Sequence, residues 1–333
     1  MKILVTGANG FIGSNLCRHL IERGHDVVGL VRPSGDRRFL SGLVCLRVLD
    51  GDITDRAGLD AAMEGVEVVH HVAGYSSDWG PWEAFRAGNV EGVRNVMEAA
   101  RNAGVRRVVH VSSVSVYGFP GGTDLTEDTP FTARPNDRYI TTKVEGERLA
   151  MDFNGRGIEV TAIRPGGVYG PHDRTTTAKL APALEAGQFG HVNGGRHVMA
   201  PCYIDNLTAM MCLAGDNPAA AGEIFNAVDD GRTTWRQYIE WMCADLGCPP
   251  PRLSVPHALV WPVAVLMEGF GKAVRMKESP LINTYRIRAV MKDSHYSTAK
   301  AKQLLDWQPT ISTREGITRA IDWYSEHHEQ EAA

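Results

Sequence analysis

The sequence predicts an α/β fold in which a doubly wound parallel sheet precedes a smaller, mostly helical part. Over the first 170 residues, short apolar runs rich in β-branched residues alternate with helix-length segments. Strands that are apolar on both faces and joined by helix-length connections are typical of parallel sheets covered by helices on both sides. Beyond about residue 166 the alternation loosens, and the chain becomes helical with frequent proline. Together these observations favour the doubly wound arrangement.

Six apolar runs are predicted strands, at residues 2–7, 26–32, 46–52, 66–74, 106–113 and 158–165. Helices are predicted between them, at residues 14–24, 56–65, 89–104 and 139–157. Each helical stretch ends at a glycine, a residue that readily adopts the left-handed conformation of a C-terminal cap. Further along we expect a loop and helix over 172–190, a strand near 196–204, a helix over 205–215 and a strand over 223–228.

The chain of 333 residues has an ordinary globular composition, with 43% hydrophobic and 22% charged residues. A formal net charge of −4 gives no electrostatic reason to expect nucleic acid or an anionic membrane as a partner. The six cysteines form no CxxC pair, so the sequence predicts neither a metal site nor a disulfide framework. They are typical of the reduced residues of a cytoplasmic protein, and the first residues begin a strand without a cleavable leader.

One apolar stretch, VPHALVWPVAVLMEGF at residues 255–270, raises the question of a membrane segment. Pro256, His257, Pro262 and Glu268 interrupt it, and it is shorter than the roughly 20 apolar residues that span a bilayer. We therefore do not expect a spanning helix. A buried or lid-forming helix is favoured over a helix that touches a membrane surface, and this second alternative stays open.

The first predicted strand runs into a glycine-rich turn, ILVTGANGFIG. Glycine is needed where the backbone turns tightly and where a side chain would block the approach of a pyrophosphate. The helix that follows offers free N–H groups and the positive end of its dipole to such a phosphate. This strand–turn–helix predicts a dinucleotide site of the Rossmann type, with contacts from Gly7, Gly10, Phe11, Ile12 and Gly13.

The end of the second strand bears on which dinucleotide binds. A carboxylate at this point would hydrogen-bond the ribose 2′-hydroxyl of NAD(H) and repel a 2′-phosphate. The chain instead has Val31 and Arg32, followed by Ser34, Arg37 and Arg38. Arg32, with one of the later arginines, could hold a phosphate by charge-assisted bonds. The sequence therefore favours NADP(H), with NAD(H) as the alternative if this is only a solvated basic loop.

Tyr139 and Lys143 are four residues apart in a predicted helix and so share one of its faces. A free tyrosine, with a pKa of about 10, is a poor acid–base catalyst at neutral pH. A neighbouring ammonium and the positive charge of an oxidised nicotinamide would stabilise the phenolate and lower that pKa. We therefore predict Tyr139 as the acid–base group of an oxidoreductase, with Lys143 also holding the cofactor ribose.

A hydroxyl that completes this site is expected at the carboxyl end of the fifth strand, where the chain supplies Ser112, Ser113 and Ser115. Such a hydroxyl can hydrogen-bond the reacting oxygen of the substrate and stabilise developing charge. Strand alternation points Ser112 and Ser113 in opposite directions, so only one of them can do this. The residues alone leave that choice open.

These motifs together resemble those of the extended short-chain dehydrogenase/reductase family. The resemblance extends over nearly the whole chain and includes, in order, TGANGFIG, GDITD, HHVAG, NVEGVRNV, SSVSVYG, YITTK, RPGGVYGP and STAKAKQLLDWQP. It implies that Ser113 is the active hydroxyl and that it acts with Tyr139 and Lys143.

The same resemblance implies further cofactor contacts. Asp52 and Ile53 would hold the adenine, and Asn89 resembles the asparagine that braces the active-site strands. The segment from Pro165 to Val168 resembles the one whose backbone meets the carboxamide. The remaining expected contacts lie at the ends of strands four, five and six: Val72, Ala73, Gly74, Val111, Ser112, Pro165, Gly166 and Val168.

Two departures argue against the sugar-nucleotide branches of the family. Nucleotide-sugar epimerases usually carry an asparagine shortly after the sixth strand, where this chain has Gly167. Sugar-nucleotide dehydratases usually follow the active hydroxyl with an Asp–Glu pair, where this chain has Val114 and Ser115. The chain more closely resembles the branch of 3β-hydroxysteroid dehydrogenases, sterol-4-carboxylate dehydrogenases and 2-alkyl-3-oxoalkanoate reductases, through LVRPSGDRR, SSDWGPWEAF, the 255–270 stretch and DSHYSTAKAKQLL.

The resulting prediction is an enzyme that interconverts a secondary alcohol and a ketone on a bulky hydrophobic substrate, steroid-like or a β-hydroxy/β-keto acid. Trp79 and Trp82 could form apolar walls for it, or could simply pack between domains. Ser76 is also expected to contact the substrate, and Ser113 and Tyr139 are expected at its reacting oxygen. Two other functions stay open: a nucleotide-sugar epimerase, and a sensor that binds the dinucleotide without catalysis.

The order of the elements places a dinucleotide-binding Rossmann domain at residues 1–170, completed by about 196–228. Residues 171–195 and 229–330 are the expected substrate-binding part. The resemblance also implies a homodimer, formed through helices near 89–103 and 139–155. Neither a metal nor a nucleic-acid partner is expected.

Overall fold

The computed structural model describes residues 1–132, 134 and 137–332. Across the sheet the seven parallel strands follow the order β3-β2-β1-β4-β5-β6-β7. The strands are β1 Lys2–Thr6, β2 Asp26–Val31, β3 Arg47–Asp50, β4 Val68–His71, β5 Arg107–Val111, β6 Glu159–Pro165 and β7 Ile224–Ala227. The order reverses between β1 and β4, and open parallel sheets bind ligands at the carboxyl edge beside such a switch point. The fold class expected from the sequence is confirmed.

Helices cover both faces of this sheet, which explains why its strands are apolar on both sides. Ile3 and Val5 belong to one hydrophobic core with side chains of α1 and α7, and Leu4 to a second core with side chains of α2 and α4. The α-helices are α1 Phe11–Glu22, α2 Arg56–Ala62, α3 Trp82–Arg86, α4 Gly92–Asn102, α5 Arg138–Met151, α6 Thr177–Glu185, α7 Ile204–Asp216, α8 Trp235–Leu246, α9 His257–Ala273, α10 Thr284–Val290, α11 Ala299–Leu305 and α12 Thr313–Ala332.

The described chain also contains three short pairs of parallel strands, of which the last named below links the C-terminal part to the Rossmann domain. Pro201–Tyr203 pairs with Gly167–Tyr169, His191–Val192 with Ser254–Val255, and Gly122–Leu125 with Ser294–Tyr296. The strand expected near 196–204 is therefore only three residues long and lies outside the main sheet. It cannot join that sheet beside β6, because β7 already occupies this edge.

The apolar stretch at 255–270 forms most of α9, a helix with one buried and one exposed face. Val260, Ala264 and Gly271 are buried, whereas Leu266 and Phe270 are exposed. The expectation of a buried helix is therefore right for one face only. A search of the part of the chain that the structure describes finds no helix with the length and apolar character needed to cross a bilayer.

Candidate active site

The glycine-rich turn follows β1 at the switch point and has the shape that a pyrophosphate requires. Gly7 adopts a φ of +67°, and Gly10 is the extended residue before α1. A Cβ atom added at Gly13 would lie 2.2 Å from Gly7 O, so no side chain fits there. α1 begins at Phe11 without a side-chain cap, which leaves the N–H groups of Phe11 and Ile12 available to an anion. The turn therefore fits a dinucleotide.

The segment after β4 forms a wall of this turn. Ala73 N donates to Thr6 Oγ1 at 3.1 Å, and a Cβ at Gly7 would lie 3.0 Å from Ala73 Cα. Val72 and Ala73 are half-buried, and Gly74 is exposed. These three residues thus lie where contacts to the cofactor are expected.

In the segment that follows β2, Arg37 and Arg38 each form an ion pair with an aspartate. Arg37 pairs with Asp50, and Arg38 pairs with Asp36 at 2.7 Å. Arg32 is exposed directly after β2 and forms no ion pair with the described residues. Of the three arginines, Arg32 is the one that can meet a 2′-phosphate without leaving a carboxylate partner.

The residues expected at the adenine follow β3. Asp52 Oδ1 accepts hydrogen bonds from Thr54 N at 2.9 Å and from Thr54 Oγ1 at 2.8 Å, which orient the carboxylate. Ile53 packs closely on Gly92 at the start of α4, where an added Cβ would lie 2.5 Å from Ile53 Cδ1. Both residues are therefore held firmly at the β3 side of the sheet edge.

Asn89 connects the segment after β4 to α5. It lies in a π-helical turn, Ala87–Glu91, which is why α4 starts at Gly92 rather than at the expected residue 89. Its Oδ1 accepts a hydrogen bond from Tyr75 N at 2.8 Å, and its Nδ2 donates to Thr142 Oγ1 at 3.1 Å. π-Turns are rare and recur at functional sites. Through these contacts Asn89 holds the segment after β4 to α5, which is what is expected of an asparagine that braces the active-site strands.

The phenol of Tyr139 lies near hydroxyls from two segments, Ser76 after β4 and Ser113 and Ser115 after β5. Burial raises the pKa of Tyr139, and hydrogen bonds with Ser76, Ser113 and Ser115 act in the opposite direction. Ser113 Oγ also accepts hydrogen bonds from Ser115 N at 3.1 Å and from Ser115 Oγ at 2.9 Å. Ser112 is buried, and its hydroxyl has no hydrogen-bond partner among the described residues. The structure thus brings Ser113, and not Ser112, to Tyr139.

Lys143 lies one turn after Tyr139 on α5 and is almost fully buried. Its Nζ donates to Val111 O at 2.7 Å. Burial lowers the pKa of Lys143 to about 8, and the nearby Glu147 carboxylate acts in the opposite direction. Glu147 itself pairs with Arg164 of β6 at 2.6 Å. The ammonium is therefore charged at neutral pH and loses its charge in mildly alkaline solution.

The backbone after β6 packs tightly beside this site. Gly166 N donates to Ala227 O at 2.9 Å, directly after Pro165 ends the strand. A Cβ at Gly166 would lie 2.2 Å from Ala200 O, so only glycine fits. Val168 is half-buried against the core that contains α1. This close packing fixes the segment expected to meet the carboxamide.

The two tryptophans of the 76–85 segment have different surroundings. Trp79 is half-buried, and its Nε1 donates to Met276 O at 2.8 Å, just after α9. Trp82 is the first residue of α3 and is also half-buried. Trp79 therefore contacts the C-terminal part. This contact is expected whether Trp79 forms a wall for the substrate or simply packs between the domains.

Tyr285 of α10 is a site residue that the sequence analysis missed. Its ring lies edge-on to that of Tyr139, with centroids 6.3 Å apart, and edge-on to that of Phe119 at 5.2 Å. Burial raises the pKa of Tyr285, and a hydrogen bond with Ser115 acts in the opposite direction. No local motif marks this residue, because it reaches the site from a distant part of the chain.

Two ion pairs anchor α10 beside the site. Arg288 Nη1 donates to Asp137 Oδ2 at 2.9 Å, and Asp137 is the residue that precedes α5. Arg286 Nε donates to Asp78 Oδ2 at 2.6 Å in the segment after β4. Both carboxylates are largely shielded from water. α10 is thus held to the two segments that flank Tyr139.

The Tyr139 phenol and the Ser113 hydroxyl therefore lie close together after β5, and the Lys143 ammonium, one helical turn further along α5, contacts the last residue of β5 beside the switch point of the sheet. Such a site can move a proton to or from an oxygen atom held next to a nicotinamide. The fold and the site together define a dinucleotide-dependent oxidoreductase.

Comparison with known sequences identifies the family. The NAD dependent epimerase/dehydratase family matches residues 3–227. "Sterol demethylase protein B" of Methylococcus capsulatus is 32% identical over 334 residues, covering 98% of this chain and 99% of that protein. "2-alkyl-3-oxoalkanoate reductase" of Stenotrophomonas maltophilia is 27% identical, covering 96% and 98%. "3-beta-hydroxysteroid dehydrogenase" of Mycolicibacterium neoaurum is 28% identical, covering 98% and 92%.

Solved structures agree with this result. The crystal structure of gox2253 is 27% identical, with a TM-score of 0.82 over 98% of both chains. The chain also shares the fold of UDP-glucuronic acid 4-epimerase from Bacillus cereus, solved in complex with NAD. The two sequences are 23% identical, and the structures align with a TM-score of 0.78 over 98% of this chain and 100% of that one. The chain belongs to the NAD-dependent epimerase/dehydratase family, the extended short-chain dehydrogenases/reductases, and is an enzyme. The family expected from the motifs is confirmed.

Proposed function

We propose that this enzyme interconverts a secondary alcohol and a ketone on a bulky hydrophobic substrate, steroid-like or a β-hydroxy/β-keto acid. The observation that carries the proposal is that Ser113 lies close enough to the Tyr139 phenol to lower its pKa, while the buried Lys143 lies one helical turn further along α5. A bound nicotinamide supplies or accepts the hydride. The protein then has to hold the substrate oxygen and move one proton to or from it.

In the direction of reduction, Tyr139 donates its proton to the carbonyl oxygen as that oxygen gains negative charge. Ser113 donates a hydrogen bond to the same oxygen and keeps it within reach of the phenol. The positive charge of Lys143 stabilises the phenolate that remains. In oxidation, the phenolate takes the proton of the alcohol, and a product that carries a β-carboxylate can then lose carbon dioxide.

The apolar substrate class is supported by the relatives and by the side chains around the site. Two of the relatives are named for a sterol or a steroid. The ring of Tyr285 contacts that of Tyr139 and packs in turn on Phe119, and Trp79 lies against the segment after α9. Aromatic rings of this kind offer broad apolar contact area to a rigid, bulky substrate.

Replacing Tyr139 by phenylalanine tests this function, because the change removes only the hydroxyl. Turnover of hydrophobic ketones with NADPH should fall by roughly a hundredfold or more, the usual contribution of a positioned acid–base group. The dissociation constant for NADPH, measured by quenching of protein fluorescence, should stay the same. A Tyr139→Phe variant with full activity would disprove the assignment.

We further propose NADP(H) as the preferred cofactor, with Arg32 contacting the 2′-phosphate. The absence of a carboxylate at the end of β2 and the exposure of Arg32 support this preference. Arg32→Gln should raise the KM for NADPH by about tenfold, the value of one charge-assisted hydrogen bond, and leave the KM for NADH unchanged. Arg37→Gln is the matched control, because Arg37 already pairs with Asp50. Equal effects on both cofactors would contradict the preference.

A nucleotide-sugar epimerase is the second candidate, because the matching family includes epimerases. Gly167 stands where such enzymes usually carry an asparagine for the sugar nucleotide, which argues against it. Thermal protection by a uridine diphosphate sugar, without oxidation of any hydrophobic alcohol, would favour this candidate over ours. A non-catalytic sensor is disfavoured because the chain retains both Tyr139 and Lys143, four residues apart.

We also propose a homodimer in which α4 and α5 of two copies meet. The outer sides of these helices border a surface hollow of about 670 Å³ whose lining includes Val144, Leu149 and Phe153. Symmetric dimers are the commonest closed assemblies of soluble proteins. Leu149→Asp should convert a dimer into a monomer in sedimentation velocity experiments. The six free cysteines agree with the cytoplasmic location expected from the sequence.

A further inference from the structure

The exposed large hydrophobic side chains of the described chain are concentrated in one segment. Apart from Met1 and Val44, all of them lie between residues 253 and 281. Of the six on α9, Leu259, Val263, Leu266 and Phe270 recur every three or four residues and so share one face, which Val265 and Met267 flank. Leu266 is 73% exposed and Phe270 is 66% exposed. We call this set the outer face of α9.

The outer face is not the side by which α9 packs on the protein. The opposite side buries Val260 and Ala264 in a small core with Ile287 of α10. A surface helix normally presents charged and polar residues to water, whereas this helix is apolar on both sides. Single exposed apolar residues are common, but a continuous apolar surface marks a binding site. The outer face therefore requires a partner of its own.

The exposed charges around the outer face are mostly basic. Glu268, the acid within the helix, is turned towards α10 and accepts a hydrogen bond from Thr284 Oγ1 at 2.6 Å. The chain as a whole has a net charge of −4, so the sign reverses locally. Glu278 is the exposed acid at this end of the segment. The exposed basic residues are Arg252, Arg275 and Lys277, together with Lys272, which pairs with Glu268 at 2.6 Å.

We propose that the outer face of α9 docks on the surface of an anionic phospholipid bilayer. The apolar side chains enter the boundary between headgroups and acyl chains, and the basic residues meet the phosphates. The helix of 17 residues is about 25 Å long and lies in the plane of the membrane surface rather than across it. The net charge gave no reason to expect an anionic membrane, because it averages over the whole chain. The local charge around the outer face favours an anionic membrane as the partner.

The position of α9 gives this docking a consequence for catalysis, a step that rests on the proposed function. Met276, just after α9, accepts the hydrogen bond of Trp79, and Glu268 of α9 bonds Thr284 at the start of α10. α10 in turn brings Tyr285 to Tyr139. The docked face and the catalytic phenol are thus linked by adjoining elements. A hydrophobic substrate dissolved in the bilayer would enter the site from this side without crossing water.

Vesicle sedimentation of the full chain tests the docking without any turnover, so its result is independent of the proposed function. The wild type should sediment with vesicles of phosphatidylcholine and phosphatidylglycerol in equal parts, and less with phosphatidylcholine alone. The double variant Leu266→Gln/Phe270→Gln should partition at least tenfold less, because each side chain loses its apolar burial. Val44→Gln is the matched control, since Val44 is 95% exposed and lies outside this segment.

A second variant tests the charges separately. Arg275→Gln/Lys277→Gln should weaken binding to the anionic vesicles by more than tenfold and leave binding to neutral vesicles unchanged, because each basic residue near such a surface contributes about a fivefold factor. Wild-type protein that stays in the supernatant with anionic vesicles would overturn the proposal, as would equal binding by the apolar double variant. Self-association of the wild type without vesicles, lost in Leu266→Gln/Phe270→Gln, would assign the face to a second copy and also overturn it.

Discussion

Replacing Glu147 by glutamine should destabilise the protein and move the alkaline limb of its activity to lower pH. The Glu147 carboxylate contacts Arg164 Nη2 at 2.6 Å and Nε at 2.9 Å, and so ties α5 to β6. Both side chains are only 2% exposed, so water cannot replace a lost partner. Arg164 also donates to Tyr117 Oη at 2.7 Å, which extends the buried network to the turn after β5.

Removing one partner of a buried ion pair costs about 3–5 kcal/mol, because the other charge is left in apolar surroundings. Total stabilities are typically about 5–15 kcal/mol, so the variant should still fold and should melt on the order of 10 °C lower. The Glu147 carboxylate also raises the pKa of Lys143 against the effect of burial. Without that carboxylate, the pKa of Lys143 falls further below its ordinary value.

The assay combines melting temperature with the pH dependence of kcat. Catalysis by the proposed mechanism needs a charged Lys143, so kcat of the wild type should fall as pH rises through about 8, and that of Glu147→Gln should fall at lower pH. Glu145→Gln is the control on the same helix: its side chain is 42% exposed, and its pair with Arg86 at 3.2 Å is worth about 0–1 kcal/mol. Equal melting temperatures of the two variants, or an unmoved alkaline limb, would refute the reasoning.

Three further predictions concern the turn, α10 and the lysine. Gly13→Ala should abolish NADPH binding in a fluorescence titration, because the added Cβ would lie 2.2 Å from Gly7 O. Gly269→Ala is the control: nothing lies within 4 Å of its added Cβ, so this variant should bind NADPH normally. Tyr285→Phe keeps the ring contacts and loses the hydroxyl that interacts with Ser115. Its kcat/KM should fall about tenfold, and its affinity for NADPH should stay the same. An unchanged kcat/KM would exclude this hydroxyl from the reaction. Folding lowers the pKa of Lys143 from 10.5 to about 8, so between pH 8 and pH 10.5 the unfolded chain binds more protons than the folded one. The stability of the wild type should therefore rise with pH over this range, relative to that of Lys143→Met. Parallel pH profiles of the two melting temperatures would contradict the lowered pKa.

The sheet and the cofactor turn were predictable because their signals are local. Apolar runs at regular spacing identify parallel strands wherever both faces are covered, and the six strands expected in the first 170 residues all lie in the main sheet. The glycine-rich turn and the Tyr139–Lys143 pair each occupy one short stretch of sequence. Local backbone geometry then brings the members of each stretch together, through the turn before α1 for the glycines and through one helical turn for Tyr139 and Lys143.

Features that depend on distant parts of the chain were not predictable in this way. Tyr285 meets Tyr139 only because the ion pairs of α10 position it, and no pattern in the sequence pairs Arg288 with Asp137. The strand expected near 196–204 is present as Pro201–Tyr203, but its place outside the main sheet was not predictable, because β7 takes the place beside β6. The apolar stretch 255–270 gave no sign of which of its sides would be exposed. That depends on how α9 packs on α10.

The ion pairs of Arg286 and Arg288 have a consequence for the timing of catalysis. α10 covers Tyr139 and also holds Asp137, the residue directly before the helix that carries this tyrosine. If α10 swings away to admit a bulky molecule, α5 loses a partner at its first turn in the same movement. The acid–base group would then be fully positioned only while the entrance is shut. Loading and chemistry would alternate, and the opening step rather than hydride transfer would limit the rate for the largest substrates.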